Sequence, residues 1–250
     1  MKTHLQGLRT AITFLTIIPL PKWQQGISED FLGSVKYFPL VGMLTGFIIM
    51  VTGMISTSIF PQTVSIVLLV FLLSLISGFF HLDGLADTAD GFLSSKPKQA
   101  ILEIMKDSRI GVMGACTIIF LLLFKISALF SVSGDDLSFV LFCGPYFGRI
   151  AIVAMMGSMV YARKKNDGLA GLFSNFRSSA LSLVHIIILG CVCFAAMGVA
   201  GLLCLFFSSF TIGAFFYLSY RKIGGYTGDT LGAACELGEA AFFISCATFL

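Results

Sequence analysis

The hydrophobic pattern divides the chain into seven long apolar stretches separated by short polar connections. Each stretch approaches the roughly 20 residues that a helix needs to cross the hydrocarbon core of a bilayer. We therefore predict an all-α polytopic membrane bundle of about seven transmembrane helices, forming a single domain over residues 1–250. The fifth and sixth stretches are contiguous, and we separate them near Met197–Gly201 because one helix cannot use their combined length. The predicted spans are Tyr37–Phe60, Gln62–Leu82, Ile110–Ser133, Leu137–Tyr161, Ala180–Gly198, Ala200–Tyr220 and Thr230–Leu250.

The N-terminal region has a different pattern. Lys2 and Arg9 precede the apolar run Ala11–Leu20, as in a signal peptide, but no small-x-small cleavage site follows, and Pro19 and Pro21 end the run. We instead predict a cytoplasmic interfacial helix. Its polar face carries Gln6, Arg9, Thr13 and Thr16, opposite Leu5, Ile12 and Leu15.

Composition agrees with a membrane protein. Hydrophobic residues make up 57% of the chain and charged residues 12%, and the mean hydropathy is +0.96, which excludes an ordinary soluble domain. Lys and Arg fall almost entirely in alternate connections. The positive-inside rule then places the N-terminus and the basic loops in the cytoplasm and the C-terminus outside. The net charge of +3 reflects this topology and requires no nucleic-acid partner.

Three carboxylates follow directly on the second apolar stretch, within His81–Gly91. On a helix Asp83, Asp87 and Asp90 lie within about 60° of one another. A divalent cation would relieve their repulsion, and hard oxygen ligands favour Mg²⁺, Mn²⁺ or Ca²⁺ over zinc. The alternative is a solvated helix start whose acids complement the helix dipole. That alternative explains one aspartate better than three on one stripe, so we predict a metal or phosphate site.

Two other segments carry candidate site residues. The connection before the third span holds Lys106, Asp107 and Arg109, which either mark the membrane boundary or bind a ligand, and Gly111 and Gly114 would allow a close approach there. The last span begins beside Asp229 and carries Glu236 and Glu239 into apolar sequence. Carboxylates at that depth normally face a polar interior. The glycines at 224, 225, 228 and 232 would leave backbone amides open to a phosphate.

Two cations lie within predicted spans. Arg149 lies near the depth of Glu239, so either an ion pair with that residue or contact with a substrate phosphate would explain it. Lys125 lies nearer the outer end of its span, where we expect it to extend to the interface or to meet Asp135 and Asp136. Lys125 is therefore a poor site candidate.

These motifs together resemble the cobalamin synthase family, the adenosylcobinamide-GDP ribazoletransferases, over nearly the whole chain. The resemblance rests on five segments in the family's order. They are Phe14-Leu15-Thr16 with Pro19, Tyr37–Gly42, His81–Gly91, Met105–Gly114, and Gly228–Ala233 followed by Glu236 and Glu239.

The resemblance implies a transferase that joins adenosylcobinamide-GDP to α-ribazole or its 5′-phosphate and releases GMP, with Mg²⁺ as cofactor, in the bacterial inner membrane with its site on the cytoplasmic side. It implies metal binding by Asp83, Asp87 and Asp90. Asp90, Asp229 and Glu236 are candidate catalytic residues. The candidate substrate-binding residues are Lys106, Asp107, Arg109, Arg149 and Glu239. We also expect contact with other enzymes of corrinoid assembly and allow for a homo-oligomer.

Two alternatives stay open at the level of sequence. A CDP-alcohol phosphotransferase performs the same displacement with an aspartate stripe on a membrane helix, but its aspartate spacing differs and it has an arginine after the alanine. An ion-coupled transporter would use Glu236, Glu239 and Arg149 as a relay. Transporters usually bind between repeated halves, and this chain has no evident internal repeat.

Overall fold

A computed structural model describes residues 2–20, 30–132, 134–164 and 168–250, and nearly all of these residues lie in helices. Within these ranges there is no β-strand, and one isolated bridge pairs Tyr161 with Tyr226. The predicted all-α class is therefore confirmed. The α-helices are α1 Lys2–Leu15, α2 Asp30–Ser34, α3 Phe38–Ile59, α4 Gln62–Ile76, α5 Phe80–Phe92, α6 Lys98–Ile104, α7 Val112–Ser131, α8 Gly134–Ser158, α9 Ser179–Ile223 and α10 Gly228–Phe249.

Five helices in the described ranges are long and apolar enough to cross a membrane, and α4 with α5 makes a sixth if the bent pair counts as one span. Many large apolar side chains on these helices face outward, among them Phe47, Phe120 and Phe210. A soluble protein does not expose so much contiguous apolar surface. The chain is thus an integral membrane protein, and the number of seven spans stays a prediction.

The second apolar stretch bends where a single span to Leu82 was predicted, so that prediction is wrong in this detail. α4 ends at Ile76, and α5 leaves it at an angle of 87°. The cause is a left-handed backbone at Gly78 and Phe79, with φ of 60° and 59°. Glycine adopts this conformation readily, whereas a phenylalanine does so rarely. The aspartate stripe consequently lies on a separate helix that turns away from α4.

The long helix α9 is broken near its middle, as the length of its apolar block predicts. Gly198 has a non-helical backbone, with φ of 58° and ψ of −141°. A Cβ atom on Gly190 would lie 3.6 Å from the side chain of Leu205, although fifteen residues of straight helix would separate them by roughly 22 Å. The two halves of α9 therefore fold back on each other, and the predicted break between Met197 and Gly201 is confirmed.

The predicted N-terminal helix is present over Lys2–Leu15, but its predicted faces are partly wrong, because Thr16 is buried. Ala11 and Leu15 are buried against the bundle, whereas Leu5 is exposed. The chain continues past the helix to Ile17, whose amide donates to the carbonyl of Ile76 at the end of α4. This contact brings the end of α1 to the bend between α4 and α5. Pro21 lies outside the described residues, and the interfacial location of the helix stays a prediction.

The last helix, α10, packs against α5, α7, α8 and α9 and forms the centre of the bundle. Its approach to α5 depends on two glycines. A Cβ atom on Gly84 would lie 2.7 Å from the carbonyl oxygen of Asp229, and one on Gly232 would lie 3.1 Å from the backbone of His81. Small residues at helix crossings allow such close backbone contact. The crossing places the acids of α5 beside the first turn of α10.

Candidate active site at the crossing of α5 and α10

The predicted aspartate stripe exists as one face of α5. Asp83 is exposed, Asp87 and Asp90 are partly buried, and every other residue from 81 to 92 is buried. The buried face consists of apolar and small residues such as Leu82, Leu85 and Ala89. The three carboxylates are therefore the only polar groups that α5 presents on its open side between 81 and 92.

Asp90 has a defined structural role at one end of this stripe. Its Oδ2 accepts a hydrogen bond from the amide of Gly111 at 2.7 Å, and its Oδ1 accepts one from the amide of Gly114 at 2.9 Å. These amides belong to the start of α7, so Asp90 satisfies donors that a helix N-terminus leaves without intrahelical partners. A Cβ atom on Gly111 would lie 2.3 Å from the Asp90 carboxylate. A close approach at Gly111 and Gly114 was predicted, and the element that approaches these glycines is α5.

Asp87 lies in the middle of the stripe among other acids. Partial burial raises the pKa of its carboxyl to about 7, and the charges of Asp83, Asp229 and Asp90 add to this effect, while Arg163 opposes it. A carboxylate crowded in this way gains stability from a nearby cation. The negative charge is therefore concentrated where α5 meets α10.

Asp229 is held by Arg163, which lies in the basic connection after α8. Arg163 donates from Nη2 to Oδ2 of Asp229 at 3.0 Å, and the hydroxyl of Thr227 donates to the same oxygen at 3.2 Å. The neighbouring backbone brings Arg163 to Asp229, because the amide of Ala162 donates to the carbonyl of Tyr226 at 2.8 Å. Arg163 Nε is buried and has no hydrogen-bond partner among the described residues. The arginine therefore retains a donor for a ligand.

A cavity of about 170 Å³ opens beside this ion pair. One wall is polar and contains Asp83, Arg163 and Asp229, with glycines where α5 and α10 cross. A second, aromatic wall consists of Phe14, Phe38, Phe80 and Phe173, whose rings contact one another. The lining residues are Phe14, Leu15, Phe38, Phe80, His81, Asp83, Gly84, Ile152, Tyr161, Arg163, Gly168, Ala170, Phe173, Gly228, Asp229, Leu231, Gly232. A cavity with a few convergent polar groups and a largely apolar lining is typical of a binding site for a small molecule.

The predicted set of three metal ligands does not converge. Among the described residues no three His, Cys, Asp or Glu side chains lie close enough to hold one ion, and both Asp90 oxygens already accept backbone hydrogen bonds. Asp83 and Asp87 remain one turn apart on the open face. Mg²⁺ is usually held by one or two carboxylates together with substrate phosphates and water. The donor set on α5 fits that kind of site.

The deeper acids of α10 belong to a separate buried cluster. Lys125 Nζ lies 2.6 Å from Glu236 Oε2 and 2.6 Å from Glu239 Oε2, and Arg149 donates to Glu239. All four side chains are nearly inaccessible to solvent. Of the two alternatives for Arg149, the structure shows the ion pair with Glu239, and neither of these two predicted substrate-binding residues lines the cavity. The expectation for Lys125 is wrong because α7 is rotated so that this side chain points to α10 and not to the interface.

The connection between α6 and α7 is exposed. Arg109 donates to Asp107 with a closest distance of 2.6 Å, and this hydrogen bond lowers the pKa of the Asp107 carboxyl to about 2. Lys106 is also exposed. None of the three lines the cavity, but the loop continues to Gly111 and so ends at the Asp90 end of the stripe. Lys106 and Arg109 therefore lie outside the cavity, on the loop that leads to the Asp90 end of the stripe.

Comparison with known proteins assigns the chain to a family. The profile of the cobalamin-5-phosphate synthase family matches residues 7–247. The chain belongs to this family. Relatives named adenosylcobinamide-GDP ribazoletransferase include one from Clostridium novyi, 35% identical over 98% of both chains, and one from Acetivibrio thermocellus, 35% identical over 96% of this chain and 97% of the relative. A third, from Citrobacter koseri, is 36% identical over 94% of this chain and 96% of the relative. No solved structure matches the chain.

Membership in the cobalamin-5-phosphate synthase family agrees with the resemblance found in the motifs, and it leaves the two alternative functions without support. The aspartate stripe and Asp229 lie together at the cavity. Arg149, Glu236 and Glu239, which a transporter would need as a relay, are instead paired with one another and with Lys125. Arg163 could not be identified from the sequence, because its position in a basic loop does not reveal that the neighbouring backbone pairs with Tyr226.

Proposed function

We propose that this member of the cobalamin-5-phosphate synthase family transfers the phosphocobinamide group of adenosylcobinamide-GDP to α-ribazole or its 5′-phosphate and releases GMP. The observation that carries the proposal is the placement of Asp83, Arg163 and Asp229 on one wall of a cavity in a chain of this family. The names of the relatives support the choice of substrates. Displacing a nucleoside monophosphate from a pyrophosphate requires cations at the phosphates and a base at the attacking hydroxyl, and this wall offers both.

The base in this proposal is Asp229. A ribose hydroxyl of the acceptor attacks the phosphorus on the corrinoid side of the pyrophosphate and forms a new P–O bond, while the bond to the bridging oxygen breaks and GMP leaves. The proton of the hydroxyl moves to the Asp229 carboxylate. Arg163 holds that carboxylate in place at 3.0 Å, and its Nε, which has no partner among the described residues, would donate to a phosphate oxygen.

Mg²⁺ fits the carboxylates of Asp83 and Asp87, which are hard oxygen donors on the open face of α5. When bound, the ion would neutralise charge that develops on the pyrophosphate oxygens. Asp90 keeps the start of α7 against α5 through its two backbone hydrogen bonds. Lys106 and Arg109 would approach the phosphates from the loop that Asp90 holds.

The buried residues Lys125, Arg149, Glu236 and Glu239 have a positioning role in this account. They connect α7, α8 and α10 by ion pairs inside the bundle. Glu236 lies two turns below Asp229 and does not line the cavity. We therefore assign the proton transfer to Asp229 and not to Glu236.

We place the site on the cytoplasmic side of the bacterial inner membrane, with the N-terminus inside. The support is the charge pattern, since Arg163, which pairs with Asp229 at the site, lies on one of the basic connections. Contacts with other corrinoid-assembly enzymes and a homo-oligomer stay predictions.

The test is a product assay on purified protein in liposomes, supplied with adenosylcobinamide-GDP, α-ribazole and Mg²⁺. We expect equal amounts of GMP and of a completed cobamide, and neither product when α-ribazole is omitted. Absence of both products from folded protein would overturn the proposed function. Substrate uptake into the liposomes without GMP release would revive the transporter alternative.

A further inference from the structure

The aromatic wall of the cavity has no part in the transfer described above. Four phenylalanine rings from distant parts of the chain meet there. The ring of Phe14 on α1 lies 5.9 Å from Phe38 on α3, 5.9 Å from Phe80 on α5 and 5.3 Å from Phe173, measured between centroids. Phe38 and Phe173 are themselves 5.7 Å apart. All four side chains line the cavity. Phe80 is 42% exposed, whereas Phe38 and Phe173 are 1% exposed, so a planar ligand would contact mainly the ring of Phe80.

One polar side chain in this wall is without a partner. His81 is 1% exposed, and neither Nδ1 nor Nε2 of its ring has a hydrogen-bond partner among the described residues. A buried polar group without a hydrogen-bond partner carries an uncompensated desolvation cost. His81 lines the same cavity, and its ring lies 5.6 Å from that of Phe80. A ligand with one well-placed acceptor or donor would remove this cost.

The size of the cavity limits what it can hold. Its volume is about 170 Å³, and an apolar cavity of about 150 Å³ is known to admit a molecule the size of benzene. One small planar ring system therefore fits, whereas a corrin macrocycle does not. The corrinoid must then lie outside, and the aromatic side of the cavity is left for one of the two heteroaromatic bases of the substrates.

The choice is between two bases, and the walls discriminate between them. Guanine carries an amide and an amino group on its edges, and both would need partners that phenylalanine rings lack. A benzimidazole base offers apolar carbon edges and a single unsubstituted ring nitrogen. That nitrogen is an acceptor, and a neutral histidine ring can donate one N–H to it.

We infer that this cavity binds the benzimidazole base of the acceptor nucleoside, with its ring among Phe14, Phe38, Phe80 and Phe173 and its free ring nitrogen bonded to His81. The inference rests on the proposed function. Phe80 and His81 precede Asp83 by less than one turn of α5, and Asp229 lies beside Gly84 where α10 crosses this helix. A base seated here would direct its ribose to Asp229, where the hydroxyl must be deprotonated.

The test compares Michaelis constants for the two substrates in Phe80→Leu and His81→Phe. Base–aromatic stacking changes affinity by about 1–3 kcal/mol when the aromatic side chain is removed. We expect the KM for α-ribazole to rise about tenfold in each variant and the KM for adenosylcobinamide-GDP to stay within about twofold of wild type. Phe47→Leu is the matched control, because Phe47 is exposed on α3 and does not line the cavity. Phe173→Leu serves as a second cavity variant if Phe80→Leu does not fold.

Equilibrium dialysis of radiolabelled α-ribazole against the detergent-solubilised protein gives a readout that requires no turnover. Weaker binding of α-ribazole to Phe80→Leu, with unchanged binding to Phe47→Leu, supports the inference. If wild type releases GMP but Phe80→Leu and His81→Phe change only the KM of the GDP substrate, the cavity holds guanine and the inference fails alone. Unchanged constants for both substrates in active variants also overturn it. A wild-type protein that releases no GMP contradicts the proposed function itself.

Discussion

Arg163 Nη2 lies 3.0 Å from Asp229 Oδ2, and this ion pair joins the segment after α8 to the first turn of α10. The side chains are 11% and 21% exposed, respectively. The pair is therefore neither a fully solvated surface contact nor sealed in the core. A ligand in the adjacent cavity can reach both groups.

The arginine is expected to matter for its geometry as well as its charge. Arg163→Lys keeps the positive charge but removes the fork of donors that can serve Asp229 and a phosphate together. We expect kcat/KM for GMP release to fall about a hundredfold, which corresponds to roughly 2.7 kcal/mol of lost transition-state stabilisation. The measurement is steady-state GMP release in liposomes.

The neighbouring Lys164 provides the control for Arg163. It carries the same charge in the same connection and is exposed. Lys164→Ala should retain activity close to wild type. If Arg163→Lys also stays within about threefold of wild type, Arg163 has no direct contact with the reacting phosphates.

The carboxylates of α5 are expected to set the metal requirement. Asp83→Asn and Asp87→Asn each remove a charged oxygen ligand, so the Mg²⁺ concentration for half-maximal activity should rise at least about tenfold. Binding of Mn²⁺, followed by electron paramagnetic resonance, should weaken in parallel without any need for turnover.

Glu103→Gln is the matched control for these two variants, because Glu103 is an exposed acid on α6 outside the cavity. It should leave both the Mg²⁺ dependence and the Mn²⁺ binding unchanged. Wild-type Mn²⁺ affinity in Asp83→Asn and Asp87→Asn would show that the metal assignment is wrong.

The buried cluster should be a stability element. Lys125→Met leaves Glu236 and Glu239 without the cation that bonds to both, and breaking a buried ion pair costs about 3–5 kcal/mol. We expect a clear fall in the melting temperature of the detergent-solubilised protein. Lys125→Arg keeps the charge and should lose less, and equal melting temperatures for wild type and Lys125→Met would contradict the role given to the cluster.

The crossing of α5 and α10 should be sensitive to one methyl group. In Gly84→Ala the new Cβ would lie 2.7 Å from the carbonyl oxygen of Asp229, so the helices must separate and the two cavity walls move apart. We expect activity to fall at least about tenfold, since small displacements at a reacting centre have large effects. Gly213→Ala on α9 is the control because no atom lies near its Cβ position. An equal loss of activity in both variants would show that the loss does not come from separation of α5 and α10.

Features that depend on short-range sequence could be predicted. The face shared by Asp83, Asp87 and Asp90 follows from helical periodicity alone, and the break at Gly198 follows from the length of the apolar block. The similar depth of Arg149 and Glu239 could be predicted because both positions could be counted from the same end of the bundle, but depth alone did not distinguish their ion pair from contact with a substrate phosphate.

Features that depend on helix rotation or on distant loops could not be predicted. Lys125 was assigned to the wrong surroundings because its depth along α7 says nothing about which neighbour it faces. Arg163 was missed because only the pairing of Tyr161 with Tyr226 brings it to Asp229. The bend at Phe79 was missed because a phenylalanine gives no sequence indication of a left-handed backbone.

The most direct test of the account is the rate of GMP release by Asp229→Asn, per folded molecule, at saturating adenosylcobinamide-GDP, α-ribazole and Mg²⁺. Loss of a general base typically lowers the rate by about 10²–10⁴-fold. We therefore expect kcat to fall by at least about a hundredfold with little change in either KM, while Glu103→Gln behaves as wild type. A kcat for Asp229→Asn within about threefold of wild type would contradict the assignment of the transfer to the cavity wall where α5 and α10 cross.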